Sequence, residues 1–321
     1  MGLSVNKEAV ALLERALDEK EKLGIVANKG PLGCLIVDAG IKAPGGYAAG
    51  KWVVEVCLGG QGCVALEMIR YGELLLPSVL VETDSPAVAA LGSQLAGWSI
   101  KTGDYCAMGS GPARALSRKP KEIYEAIQYE DHCDSAVIVL EATSLPTESA
   151  IRAIAGDCKI SPKNLYVVVM PTSSIVGSIQ ISGRVVEMGI HRLYQLGLDP
   201  KLISFGCGSA PISPVHPSTV QAMARTNDAL FYGGVAFYMM THENVDELRN
   251  LVSRSPSCSS NDYGKSFYEI LEAAQFDFYK VDPGIFPPST TFLNNTKTGV
   301  TFKAGSINVQ MLKKTLGIVN V

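Results

Sequence analysis

The run Leu165 to Met170, LYVVVM, leads straight into the hydroxyl-rich turn Pro171-Thr172-Ser173-Ser174, and behind it lies a helical pattern that ends at Gly197. No other stretch restricts the fold as tightly. An apolar run of this kind reads as a buried strand, the hydroxyls are suited to capping, and the glycine closes the helix. At about 100° per residue, Ile179, Val186, Ile190 and Leu193 share one side of that helix. Gln180, Arg184, Glu187 and His191 fall on the other side, within an arc of roughly 60°. Ser174, Ser178 and Ser182 repeat every four residues, with Gly177 among them and Gly183 directly after, and such small residues admit a second backbone or a flat ligand. A polar stripe opposite an apolar one also fits an ordinary surface helix, with Arg184 and Glu187 as a simple ion pair. The strand-to-helix turn favours a site, because α/β proteins bind ligands at such turns.

The neighbouring segments extend the pattern. Asp134 to Glu141 reads as a strand and Thr147 to Cys158 as a helix, so a β-α-β order with parallel pairing is expected. The chain of 321 residues suits two domains. The fold class expected is mixed α/β, with two α/β domains: residues 1–85 plus 260–321 as a discontinuous first domain and 86–259 as the second. Hydrophobic residues at 47% against 18% charged exclude a disordered chain, and a net charge of -3 gives no basic footprint for nucleic acid. The eight cysteines form no C-x-x-C pair, and only His132 adjoins one of them, Cys133, so reduced thiols in a cytoplasmic protein without a metal site are expected. No apolar run reaches the length of a membrane span, and the amphipathic N-terminal stretch lacks the apolar region of a signal peptide.

Asn6 is expected to cap a helix running to about Leu23. Cys34 to Asp38, Trp52 to Leu58 and Leu74 to Glu82 read as strands, and a helix is expected after Asp84-Ser85-Pro86. Lys101 to Met108 reads as extended and opens into Gly109 to Leu116, GSGPARAL. Backbone N–H groups at such a helix start, with Arg114 beside them, suit an anion as well as they suit a plain tight turn; the segment matches neither a Walker loop nor G-x-G-x-x-G. Leu202 to Phe205 reads as a strand followed by a loop of small residues, Gly206 to Pro214. Val235 to Met240 is another apolar run, Glu243 to Val252 a helix, Ser253 to Asp262 a linker, and Gly264 to Gln275 a helix. Thr290 to Lys303 reads as a hairpin about Asn294-Asn295 or Thr298-Gly299, and Asn308 as the cap of a last helix.

Three segments together, SIVGSIQISGRVVE at 174–187, GSGPARAL at 109–116 and LGSQLAGW at 91–98, resemble the methenyltetrahydromethanopterin cyclohydrolases. So do ISPVHP from Ile212, Thr226-Asn227-Asp228, and DYGKSFYEI from Asp262. The resemblance runs from the first helix to the C-terminal hairpin. It implies a cytoplasmic homotrimeric enzyme of one-carbon metabolism, built of two α/β domains with a cleft between them and using no metal or prosthetic group. The substrate implied is N5,N10-methenyl-tetrahydromethanopterin or its dephospho form, interconverted with the N5-formyl compound by water. The family's S-G-R-x-V-E pattern falls on Arg184 and Glu187, which become the expected catalytic residues. One position departs: Leu95 stands where the family pattern carries lysine in LGSQ-x-AGW, so that residue's role does not carry over.

The chemistry implied needs a positioned water, a place for its proton, and a way to protonate the departing N10. One carboxylate serves both proton steps, first as base and then as acid, and Glu187 is the candidate. Arg184, one turn earlier, is suited to orienting Glu187 and the substrate. Ser110, Gly111 and Arg114 are candidates for an anion or the pterin, and Ser178, Gln180 and Ser182 for the ring system; for the serines, helix capping and close packing are the slightly stronger reading. Two other readings remain open at this level. A pterin-binding protein without catalysis would keep the Gly-Ser loops and not need Glu187. Different hydrolytic chemistry would use Cys57 or Cys207 as nucleophile, for which no histidine is placed by sequence.

Overall fold

The structure is a computed structural model that describes residues 2–277 and 280–319. Along the chain run α1 (Val5–Asp18), α2 (Lys20–Leu23), β1 (Val26–Lys29), β2 (Leu35–Asp38), α3 (Tyr47–Cys57), β3 (Cys63–Tyr71) and β4 (Leu74–Thr83). A π-helical turn, Ala87–Gln94, precedes β5 (Trp98–Thr102), β6 (Tyr105–Ser110), α4 (Ala113–Ser117), α5 (Lys121–Ile127), β7 (Ala136–Glu141), α6 (Glu148–Asp157) and β8 (Leu165–Met170). Then follow α7 (Ile175–Ser182), α8 (Val185–Gln195), β9 (Ile203–Pro211), α9 (Thr219–Gly233), β10 (Val235–Met240), α10 (Val245–Ser253), α11 (Phe267–Ala273), β11 (Thr290–Asn295), β12 (Thr301–Gly305) and α12 (Val309–Leu316). None of the described helices is long and apolar enough to cross a membrane.

These elements form two α/β units, Met1–Cys63 with Ala87–Gln180, and Val64–Pro86 with Ile181–Val321. This division differs from the expected boundaries at 85/86 and 259/260. The β3–β4 ribbon pairs through β4 with β9 in the second sheet, while β7 and β8 lie in the first.

The first unit is a sheet in the order β1-β2-β8-β7-β6-β5, with β2, β8 and β7 parallel as the β-α-β pattern implies. Its central strands are apolar on both faces because both faces are covered. Ile36, Ile138, Leu140, Val167 and Val169 pack with Ile151 and Ile154 of α6. Val37, Val137, Val139, Val168 and Met170 pack with Leu13 of α1 and Val53 and Val56 of α3. At the end of β2, Asp38 accepts the N–H groups of Gly40, Ile41, Lys42 and Ala43. Burial pushes its carboxyl up, but the four amides outweigh it and hold the pKa below the usual value.

The second sheet runs β12-β11-β10-β9-β4-β3, and its β10–β11 pair is parallel. Helices α8, α9 and α10 pack against it. Register places Glu82, Cys207, Phe237, Phe292 and Lys303 in one cross-strand row, with Phe205 beside Met239 in the next. Phe237 and Phe292 stack with centroids 6.0 Å apart, and the Lys303 ammonium lies 5.6 Å from the Phe292 ring. This row faces outward: Phe205 is 47% exposed and Cys207 is exposed.

Several local expectations change. Trp52–Cys57 belongs to α3, not a strand: Ala49, Val53, Val56 and Cys57 recur at helical spacing and turn into the core, which overrides the β-branched composition. Ser4 caps α1, accepting the Lys7 N–H. Asn6 lies inside that helix, fully buried, donating to Pro112 O and Asp131 and accepting the Val137 N–H. The small residues Gly206–Pro211 continue β9 instead of forming a loop, because α8 sits close upon them. A Cβ on Gly206 would stand 3.1 Å from Val186, and one on Gly208 3.1 Å from Val185. The presumed linker is packed: Ser255 and Ser257 are buried, and Ser257 donates to Phe231 O at 2.5 Å. The hairpin β11–β12 turns at Thr298-Gly299, where Gly299 has φ 74°.

Asp228 of α9 accepts the Phe267 N–H at 2.8 Å and so fixes the start of α11. Burial pushes its pKa up to about 8, and Glu269 adds to the rise. Between about pH 4 and pH 8 the unfolded chain has released this proton while the folded chain retains it. Stability therefore falls as pH rises through that window, by at most about 1.4 kcal/mol per pH unit from this group. Asp228→Asn is expected to flatten the slope in urea unfolding measured from pH 5 to pH 8.

Candidate active site

The helix expected over 174–197 is two helices, α7 and α8, broken at Gly183-Arg184. Glycine is a poor helix former, and the chain tightens there: the Arg184 N–H reaches Ile181 O at 3.0 Å, before the Met188 N–H resumes on Arg184 O at 2.8 Å. Ser174 caps α7, accepting the Gly177 N–H at 3.0 Å, so the hydroxyl-rich turn does what its residue types suggest. Thr172 of the same turn donates to Glu141 at the end of β7.

The break sets the geometry of the charged pair. Arg184 is the N-terminal cap residue of α8, and Glu187 lies in its first turn, where the helix dipole favours a negative charge. Arg184 Nη1 and Glu187 Oε2 are 3.4 Å apart, and the two side chains are only 6% and 5% exposed. Gln180 is also buried, and His191 is half-buried. Apart from half-buried His191, both stripes of the helical pattern are out of water, which rules out the surface-helix reading. A buried ion pair is a weak stability device, since desolvation offsets its attraction. Its presence points to chemistry.

The small residues of α7 are buried too. Ser182 Oγ donates to Pro211 O at 2.8 Å and ties the end of α7 to β9. Ser178 is 1% exposed, and its N–H bonds to Ser174 O. Although Cys207 is exposed as a residue, partial desolvation of its thiol and the nearby Glu82 charge push the thiol pKa up, which lowers its thiolate content.

In the first unit, Gly109 and Ser110 end β6, and α4 has only five residues. Gly111 has φ 91°, a conformation that favours glycine, and its N–H donates to Ser93 O at 2.9 Å. Ser110 Oγ lies 3.8 Å from Cys57 Sγ. Arg114 is fully buried and donates to Lys119 O at 2.8 Å, Leu91 O at 3.0 Å and Ser93 O at 3.2 Å. Tyr124 donates to Gly92 O at 2.6 Å. These donors hold the π-helical turn 87–94, at whose end lies buried Leu95. GSGPARAL is expected to suit an anion and a plain tight turn alike; in the structure Arg114 and the Gly111 N–H are engaged with backbone carbonyls. The sequence reading assigns no role to Asp38 or Tyr238. A strand-ending Asp before the turn AGIKAPGG was a readable signal for the first, whereas Tyr238 is hidden within an apolar run.

A family model described as Cyclohydrolase (MCH) matches residues 4–316. The methenyltetrahydromethanopterin cyclohydrolase of Methanothermobacter marburgensis is 44% identical over 321 residues, covering 98% of this chain and 100% of its own. That of Methanocaldococcus jannaschii is 43% identical over 318 residues, covering 98% of each. That of Methanococcoides burtonii is 42% identical over 319 residues, covering 99% of this chain and 100% of its own.

The bonding of Arg114 separates a support from an anion receptor. Arg114→Met leaves buried carbonyls unmatched, each worth about 1–3 kcal/mol. Urea unfolding is expected to show a loss of that order or more, with the substrate KM of the surviving folded protein little changed. Unaltered stability with a raised KM would identify the guanidinium as a ligand for an anion.

Proposed function

The chain belongs to the methenyltetrahydromethanopterin cyclohydrolase family, and on that premise we propose the following division of labour in its reaction. The enzyme interconverts N5,N10-methenyl-tetrahydromethanopterin and N5-formyl-tetrahydromethanopterin. The methenyl carbon shares one positive charge between two nitrogens and is already a strong electrophile. Water adds to it as Glu187 takes one proton, giving a neutral hydroxy adduct. Collapse of that adduct forms the formyl C=O, breaks the bond to N10 and places a proton on that nitrogen; Glu187 returns the one it holds while the adduct's hydroxyl proton leaves, so one proton is released overall. The observation that carries this assignment is the buried Arg184–Glu187 pair at the start of α8. There the carboxylate also favours a cationic substrate electrostatically. Arg184 orients Glu187 and the carrier.

We assign carrier contacts to Ser110, Gly111, Ser178, Gln180 and Ser182, whose small or amide side chains suit a flat ring and a polar arm. Arg114 instead fixes the π-helical turn 87–94 through its carbonyls. No prosthetic group is required, because the carrier brings its own charged carbon. The reading places the enzyme in the cytoplasm as a homotrimer. The outward row of Phe205, Phe237, Met239 and Phe292 on the second sheet supports self-association, since an apolar sheet face of this kind gains by being covered.

Glu187→Gln is expected to slow loss of the methenyl absorbance by about 10²–10⁴ with the fold intact by circular dichroism. A change of only twofold would remove Glu187 from the proton steps. Arg184→Ala is expected to give a large but smaller loss. Light scattering is expected to return three times the mass of one chain, and Phe205→Asp to lower it; a wild-type monomer at micromolar concentration would refute the trimer.

A further inference from the structure

Strand β10 sends Tyr238 to the helix-covered side of the second sheet, where its side chain is fully buried. The hydroxyl donates to Val186 O at 2.7 Å. The Ile190 backbone amide is a hydrogen-bond partner of the same oxygen. The approach is possible only because residue 189 is glycine: a Cβ there would lie 2.1 Å from the phenolic oxygen. One hydroxyl thus grips the turn of α8 that carries Glu187, at the carbonyl of the peptide joining residues 186 and 187. Burial, followed by the nearby charge of Glu187, keeps the phenol protonated and so always a donor.

We infer that Tyr238 is a positioning residue for Glu187, held through Val186 O and admitted by Gly189. The inference rests on the proton-transfer role assigned to Glu187. The phenol moves no proton and touches no reacting atom; it fixes the plane of the peptide from which the carboxylate is projected. A general base must meet its water within hydrogen-bonding reach, and a small displacement is expensive in rate.

The test is a double-mutant cycle on purified full-length enzyme with the methenyl carrier as substrate. Tyr238→Phe removes only the hydroxyl and is expected to lower kcat roughly tenfold or more, with KM within about twofold of wild type. Gly189→Ala inserts the methyl that the hydroxyl now excludes and is expected to lower kcat to a similar extent. The double variant is expected to be no worse than either single one, because both act through the same bond. Gly189→Ala alone decides the matter if Tyr238→Phe does not fold. A Tyr238→Phe enzyme with normal kcat and a lowered melting temperature, or with kcat and KM changed together, would overturn the inference. So would additive losses in the double variant. Glu187→Gln run in parallel keeps the two questions apart: full activity there refutes the role of Glu187 itself, whereas an inactive Glu187→Gln beside a fully active Tyr238→Phe refutes only the positioning.

Discussion

Two opposite charges 3.4 Å apart, each nearly without solvent contact, are the arrangement that the second unit is built to hold. Removing ions from water is expensive, and mutual attraction repays it only when geometry is maintained. The surroundings maintain it by backbone means. The break at Gly183-Arg184 starts a new helix whose dipole meets Glu187 in its first turn. Gly206 and Gly208 let Val185 and Val186 lie almost on the sheet. Ser182 anchors the preceding helix to Pro211, and Tyr238 grips Val186. Each of these contacts is made to a main-chain atom or through an absent side chain, so the backbone helps to aim the carboxylate beside its Arg184 partner.

That economy fits the chemistry of the family. On the reading proposed above, a methenyl carbon flanked by two nitrogens calls for one water, one carboxylate and steady alignment. The first unit shows the same habit. Arg114 spends its charge on carbonyls of the π-helical turn, and Asp38 spends its own on four amides. Both of these charged residues of the first unit serve to shape the loops beside them.

Much of the fold was legible because burial on two faces writes itself into sequence. Strand β8 is apolar throughout and β7 as far as Leu140, and their order with α6 implies the parallel pairing observed. Misreadings arose where one residue type serves two ends. Val53, Val54 and Val56 look like strand residues, yet their spacing serves a helix against the first sheet. The glycines of β9 look like a loop, yet they are a strand thinned to receive α8. Asn6 looks like a cap, yet Ser4 caps and Asn6 is a buried tie to Asp131 and Val137. At the candidate site, a helical wheel placed Arg184 and Glu187 on one side with Gln180 and His191, and the family pattern singled the two out, but neither carried information on whether that side met water. Tyr238 left no trace at all, because a hydroxyl within an apolar strand shows its purpose only when its partner is in view.

The β3–β4 ribbon has a consequence for biosynthesis. It ends at Thr83, whereas β9, the strand that completes its pairing, begins at Ile203. A ribosome therefore delivers the ribbon long before the segment that must lie alongside it, and Leu75 and Met68 are exposed even in the finished protein. For that interval the nascent chain carries an open, apolar β edge, an invitation to wrong partners that chaperones exist to guard.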